Sequence, residues 1–261
     1  MFPFLVVSNL LIMLGLGDIL SPVFAGAMSR LFRLPGAAGS ALLLGLTGGY
    51  PIGAKTAADL YRSGRLTREE TQRLLTFCNN ANPAFFLNVL GAGVFHSVRV
   101  GLYLWLIHLL SALLSGWFLC RKRTCSVRIH CPPVRNGNSD PVSVLWVSAV
   151  GSALQGILSI CAFVVIFYVL TRPLASLPGI WCSAATGALE LFSLMPRLSN
   201  DSTSLVLVSA LSGWGGLSVL CQTASMLAGT DLSVSSCIKG KLLQSLFSAL
   251  LAALLLRFRI I

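Results

Sequence analysis

Residues 47–56 read TGGYPIGAKT and follow the apolar run AAGSALLLGL at 37–46. Glycines at 48, 49 and 53 and a proline at 51 stand where a membrane helix would need unbroken backbone hydrogen bonding. The leucines before them are too apolar for a solvated loop. The stretch reads as an unwound, lysine-bearing break inside a hydrophobic segment.

The rest of the chain supplies the solvent for that reading. Of 261 residues, 55% are hydrophobic and 10% charged, and the mean hydropathy is +0.82. So few charges cannot cover the surface of a water-soluble domain of this length, so lipid is the expected surrounding and the expected fold is an all-α polytopic membrane protein. The 19 Lys and Arg against 8 Asp and Glu, a net charge of +11, lie between apolar runs. There they set topology and meet anionic headgroups, so the expected partner is the bilayer and not nucleic acid. The N-terminus MFPFLVVSNLLIMLGLG lacks a positive n-region and reads as a first span. Cys120, Cys125, Cys131 and His130 crowd a basic loop without the close Cys pairs of a zinc site, so no metal is expected.

Candidate spans are 2–20, 76–95, 101–119, 142–170, 174–195 and 242–256, with glycine-interrupted apolar stretches at 37–58 and 205–227. Arg30 and Arg33 precede the first interrupted stretch, and Arg62, Arg65, Arg68 and Arg73 follow it. The positive-inside rule puts both groups, and the basic loop at 121–141, in the cytoplasm. A segment that starts and ends on one face is re-entrant. Its irregular backbone is tolerated only against protein or a wet cavity. Beyond it, Gly64 reads as a helix stop, and Thr67 with Glu70 as a capping box starting a helix at Arg68. Asn79, Asn80 and Asn82 before Pro83 read as a second break, because amides in an apolar run need partners and the residue before proline avoids the α region.

Sliding the chain on itself by 166 residues lays Gly49 on Gly215, Ala58 on Ala224, Leu66 on Leu232 and Thr67 on Ser233. Two broken or re-entrant helical hairpins, 37–58 and 205–227, would then sit in an internal repeat, with 1–120 and 142–261 as its halves. Such paired breaks point to a transporter site.

The block GLTGGYPIGAKTAADLYRSGRLTREETQRLLTFCNNANPAFF, with its GYP-x-GAK, L-T-x-x-E and NN-x-x-P, resembles the sporulation integral membrane proteins of the YlbJ type. WGGLSVLCQTASML resembles that family's second block. The broader grouping is the nucleoside-recognition or Gate domain family, which includes parts of ferrous-iron transporters and resembles concentrative nucleoside transporters. The chain departs from the family pattern in being short and at Leu220 and Cys221 before Gln222. The resemblance implies a role in spore formation, in a bacterial inner, forespore or mother-cell membrane, by moving a small solute.

The residues expected to meet that solute are Gly48, Gly49, Tyr50, Pro51 and Gly53 by open backbone, Lys55 by charge, Asn79, Asn80 and Asn82 by their amides, and Gly215, Gly216, Ser218 and Gln222 from the second block. Each has a plainer reading. Lys55 can snorkel to headgroups, Tyr50 can be an interface aromatic, the amides can glue helices, and Ser218 and Gln222 can simply pack. Glu190, an acid inside an apolar run, is expected to couple an ion or proton, or else to mark a helix end beside Pro196 and Arg197. His96 and His108 read as structural. No nucleophile, paired carboxylates or phosphate loop is visible, so the chain reads as a non-enzyme without a cofactor. The expected function is transport of a small polar solute by alternating access. The alternative is a non-transporting assembly protein of the sporulation membrane. Homo-oligomerisation is left open.

Overall fold

The computed structural model describes residues 2–121, 141–175 and 177–258. Among these residues every regular element is helical. α1 (Phe2–Met13) and α2 (Leu16–Ala27) are separated at Gly15, whose φ is 87°. A wider π-type turn, Met28–Phe32, extends α2. α3 (Ala38–Gly48) and α4 (Ile52–Arg62) follow, then the short α5 (Arg68–Leu74). Residues 75–82 are irregular and lead into a π-type helix, Phe85–Val94. α6 (Val98–Arg121), α7 (Val142–Ala175) and α8 (Ile180–Leu189) come next. A 3₁₀ turn, Phe192–Arg197, precedes α9 (Ser202–Trp214), α10 (Leu217–Leu227) and α11 (Ser235–Arg257).

Four stretches are long and apolar enough to cross a bilayer: Val98–Arg121, Ser143–Leu174, Ser202–Leu227 and Ser235–Arg257. The protein is a multi-pass, all-α membrane protein. α7 carries much of the lipid-facing surface, with Val147, Leu158 and Val165 exposed along it.

Three of the expected spans are not single crossings. The stretch at 2–20 is bent by 85° between Leu5–Met13 and Leu16–Phe32. The stretch at 76–95 is mostly irregular backbone and a ten-residue π-type helix, because the asparagines and Pro83 interrupt the α-helical ladder. The stretch at 174–195 folds back on itself: α8 ends at Leu189, Glu190 is extended, and the 3₁₀ turn returns along it. Arg197 closes that return by donating to Ser183 Oγ (3.0 Å), the Leu174 carbonyl (3.2 Å) and the Leu177 carbonyl (2.6 Å).

The two glycine-interrupted stretches differ. α3 and α4 pack antiparallel, turning at Gly49 (φ 85°) through a cis Tyr50–Pro51 bond. Their close approach depends on glycine, since a Cβ on Gly45 would lie 2.9 Å from Gly53 Cα. α9 and α10 instead form one 26-residue apolar stretch interrupted at Gly215 and Gly216. Of the two forms open to 205–227, the structure has the broken helix rather than the hairpin.

An apolar cluster gathers the arginine-bearing segments at one end. It contains Phe32, Leu66, Leu74, Phe77, Cys120 and Leu232, with Phe32 stacked on Phe77 at 4.4 Å. The segments that the charge rule assigned to one face thus converge at one end of the bundle. Nearly all of the basic loop, with Cys125, His130 and Cys131, lies outside the described residues.

Candidate functional site: the meeting point of the broken helices

Three interruptions meet at the centre. Tyr50, at the tip of the α3–α4 hairpin, donates through its hydroxyl to the Ser212 carbonyl at 2.9 Å. That carbonyl belongs to the last turn of α9, beside the Gly215 break. A Cβ on Gly215 would lie 3.2 Å from the Tyr50 hydroxyl. On the other side of the break, a Cβ on Gly216 would lie 3.2 Å from the Leu189 carbonyl and 3.4 Å from the Leu191 nitrogen. Trp214 Nε1 donates to the Ala188 carbonyl at 3.0 Å. The tip of the α8 fold-back, where Glu190 sits, therefore abuts the same break.

Two helices begin here, α4 after Pro51 and α10 after Gly216, and neither has a side-chain cap. The starts of α5 and α9 do have one. Thr67 and Glu70 cap α5 as a capping box, and Asp201 accepts from the Ser204 nitrogen at the start of α9. The first N–H groups of a helix have no intrahelical partner, and they carry the positive end of its dipole. Two such ends, uncapped by side chains, point into the centre.

α11 contributes the charge that the sequence reading missed. Lys241 is 1% exposed. Its ammonium sits 4.9 Å from the centroid of the Tyr50 ring and 3.4 Å from the Tyr50 hydroxyl, and it donates to Gln244 Oε1 at 2.9 Å. Among the described residues no carboxylate lies within ion-pair distance of it. Gln244 Nε2 donates onward to Asn80 Oδ1 (3.1 Å) and to the His108 carbonyl (3.3 Å). His108 Nε2 accepts from the Ala81 nitrogen at 3.2 Å, which places the proton on Nδ1, and that atom has no partner among the described residues. The network therefore links the hairpin tip, α11, the asparagine break and α6.

The expected site residues divide into three groups. Gly49, Tyr50, Pro51, Gly215 and Gly216 form the meeting point itself, with Gly48 closing α3 and Gly53 in the first turn of α4. Asn80 belongs to the Lys241 network. Asn79 donates to Thr223 Oγ1 at 2.9 Å and leaves a buried Oδ1 without a partner among the described residues. Ser218 and Gln222 are buried on the first turns of α10 and bond each other at 3.2 Å. Asn82 is occupied locally, capping the Phe85 nitrogen at 2.9 Å. Lys55 is occupied too, in an ion pair of 2.7 Å with Asp59 one turn along its own helix. Glu190 accepts from the Ser193 nitrogen (2.6 Å) and hydroxyl (2.9 Å), so it holds the fold-back while lying 3% exposed beside the second break.

A signal for Lys241 is present in the sequence. Cys237, Gly240, Lys241, Gln244, Ser248 and Ala252 recur at helical spacing and form the buried face of α11. Starting the last span at 242 left Lys241 outside it.

At the arginine-rich end, the far ends of α4 and α10 are tied together. Arg62 Nη2 donates to the carbonyls of Met226 (3.2 Å) and Ala228 (2.9 Å), which finish α10. Tyr61 donates to Asp231 Oδ1 at 2.7 Å, and Arg68 pairs with Asp231 Oδ2 at 3.0 Å. Arg65 pairs with Asp18 of α2 at 2.6 Å. The Tyr61 hydroxyl, with help from Arg68, holds the Asp231 carboxyl below the usual carboxylate range.

A bundle of spans around two fold-backs and two interrupted segments, with a buried cation at their meeting point, defines a multi-pass membrane protein with a broken-helix centre. A family model described as nucleoside recognition matches residues 1–98, which carry the first hairpin, the asparagine break and the π-type helix. The chain is 29% identical, over 98% of its length and 72% of the relative's, to the sporulation integral membrane protein YlbJ of Bacillus subtilis (strain 168). The resemblance carried by the two glycine blocks thus extends along nearly the whole chain. No solved structure matches it.

Proposed function

We propose that the protein moves a small polar solute across a bacterial membrane during spore formation, through the centre where the broken helices meet. One observation carries the reading. Lys241 is buried without a carboxylate partner among the described residues, beside two helix N-termini that have no side-chain caps. An uncompensated cation at membrane depth is costly, and such residues line solute and ion paths. All three features suit an acceptor-rich or negatively charged group on the solute, with Tyr50, Gln244 and Asn80 supplying directional hydrogen bonds. Glu190 is the candidate for coupling an ion or proton. The chain works as a carrier and not as an enzyme, by rocking one set of elements against the other around a fixed centre.

The test is uptake into proteoliposomes of a panel of nucleosides, small carboxylates and inorganic ions by the full chain, its Lys241→Met variant and its Lys55→Met variant. Transport by the full chain and by Lys55→Met, lost in Lys241→Met, supports the reading. No movement of any of them in either direction sinks it. The spore-formation role is tested by whether the chain restores sporulation to a Bacillus subtilis strain lacking YlbJ.

A second reading, a sporulation-membrane scaffold without transport, draws on the internal bonding of Asn80, Gln244 and His108. It predicts that Lys241→Met supports sporulation as well as the unaltered chain does.

A further inference from the structure

We infer that the polar clasp between α4–α5 and the α10–α11 connection is a gate over the central site, and that the site opens toward the arginine-rich face only when this clasp parts. The inference rests on reading the centre as a solute site, and it adds what controls access to that site.

The geometry comes from two parallel half-helices. α4 and α10 both start at the centre, pack side by side and end at the clasp. Each has eleven residues, so the clasp stands about 16 Å from the centre along the helix axes. The solvent-facing contacts that join these ends are polar, laid over the apolar cluster that holds Leu66, Leu227 and Leu232. Arg62 of one half-helix satisfies the final carbonyls of the other. Tyr61 and Arg68 take the two oxygens of Asp231. Arg65 adds Asp18, on the sharply bent first segment.

The exposure of these groups suits a contact that must break. The side chains of Arg62, Arg68 and Asp231 are 42%, 56% and 58% exposed. Water can take over each bond when it opens, so a single exposed pair holds weakly, while several in register give a defined closed state. The network around Lys241 is the opposite case. It is buried, and its groups lose their partners if the elements separate dry. The polar groups of the clasp can therefore part into water while those of the centre cannot, and the clasp side is the face toward which a path opens.

The test uses the full chain with its cysteines replaced, in membrane vesicles, carrying Ser218→Cys as a reporter on the first turn of α10. A membrane-impermeant maleimide is applied from the arginine-rich face. With the clasp intact, labelling is slow. Asp231→Asn, which weakens both the Tyr61 and Arg68 contacts, and Arg62→Gln should each speed it by about five- to ten-fold. Tyr61→Cys with Asp231→Cys, bridged by a short bismaleimide in a brief treatment that leaves the buried thiol of Ser218→Cys unreacted, should slow it below the intact rate. The same pair left unbridged controls for folding, as does thermal unfolding of every variant. Equal labelling of loosened, intact and bridged forms, or labelling only from the opposite face, overturns the gate. Because labelling reads access and not transport, the outcomes separate. Labelling that follows the clasp while no solute moves upholds the gate and defeats the transport reading. Solute movement with labelling indifferent to the clasp does the reverse.

Discussion

The breaks at Gly48–Gly49 and Gly215–Gly216 look equivalent in sequence, yet the first turns the chain back and the second lets it run on. The difference lies one turn to either side. Gly45 and Gly53 flank the first break, and their bare backbones let α3 and α4 close on each other with the Cys78 carbonyl against both. At the same offsets around the second break stand Leu211 and Val219, whose side chains would hold two antiparallel helices apart. Gly213, the glycine available on α9, is used against α11 instead, where a Cβ would lie 2.8 Å from Ser245 Cα. A glycine cluster therefore supplies the break, and the small residues beside it decide whether the chain folds back. A second, shorter return lies at Glu190, between α8 and the 3₁₀ turn. The offset of 166 residues consequently aligns a fold-back with a crossing.

The largest effect that bears on this contrast is one of sidedness. Single cysteines at Arg33 and Ser63 should react with an impermeant maleimide from the same face of oriented vesicles. Cysteines at Asn200 and Gly229 should react from opposite faces, with Gly229 sharing the face of Ser63. Same-face reactivity of Asn200 and Gly229 would make the second break a hairpin after all.

Next in size is the glycine pair. Gly53→Val forces a branched side chain onto the Cys78 carbonyl and should cost about 3 kcal/mol or more, read as a lower Tm in detergent. Gly215→Ala meets only the positive φ and the Tyr50 hydroxyl, and should cost about 1–2 kcal/mol. Equal losses would mean that the two breaks are packed alike.

A smaller effect has opposite signs in two assays. Lys241→Met removes a buried charge that has no carboxylate partner among the described residues and keeps most of the side-chain volume, an effect that outweighs the lost hydrogen bond to Gln244, so stability should rise, by about 1 kcal/mol, while activity falls. Lys55→Met removes only a partly exposed pair with Asp59 and should change stability by less than about 1 kcal/mol. A fall in Tm for Lys241→Met would make that lysine structural.

Much of the fold was legible because local rules decide it. The capping box at Thr67 and Glu70, the stop at Gly64 and the break at the asparagines before Pro83 are each set by nearby residues. The arginines on both sides of 37–58 pointed to a chain that turns back there, and α3 and α4 pack against each other. What could not be read depends on tertiary placement. Residues 174–195 are apolar enough to span, and only the packing of Glu190 against Ser193 and of Arg197 against the carbonyls at 174 and 177 reveals a return. The candidate site was half legible. Tyr50, the glycines and Asn80 are where the breaks put them. Lys55 pairs with Asp59 one turn away on the same face, a contact the sequence reading did not weigh, and Lys241 was hidden at the edge of an apolar run because the last span was started at 242.

The smallest expected effects concern the two side-chain caps, at the starts of α5 and α9, against the open starts of α4 and α10. Thr67→Ala should cost about 1 kcal/mol, because the orphan N–H at Glu70 loses its acceptor. Asp201 caps α9 with a charged group, so its contribution depends on pH. Hydrogen bonds from the backbone, and then the side chain, of Ser204 hold its carboxyl below the usual carboxylate range. A carboxylate with a depressed folded pKa stabilises fully above its unfolded value, about 3.9, and loses that contribution as pH falls through the lower folded value. Acid titration of Tm should therefore show a loss below about pH 4 that Asp201→Asn flattens. The central starts of α4 and α10 have no ionisable cap of this kind, so Gly216→Ala should leave the shape of the acid limb unchanged. If it alters that limb as Asp201→Asn does, the distinction between the capped start of α9 and the open start of α10 fails.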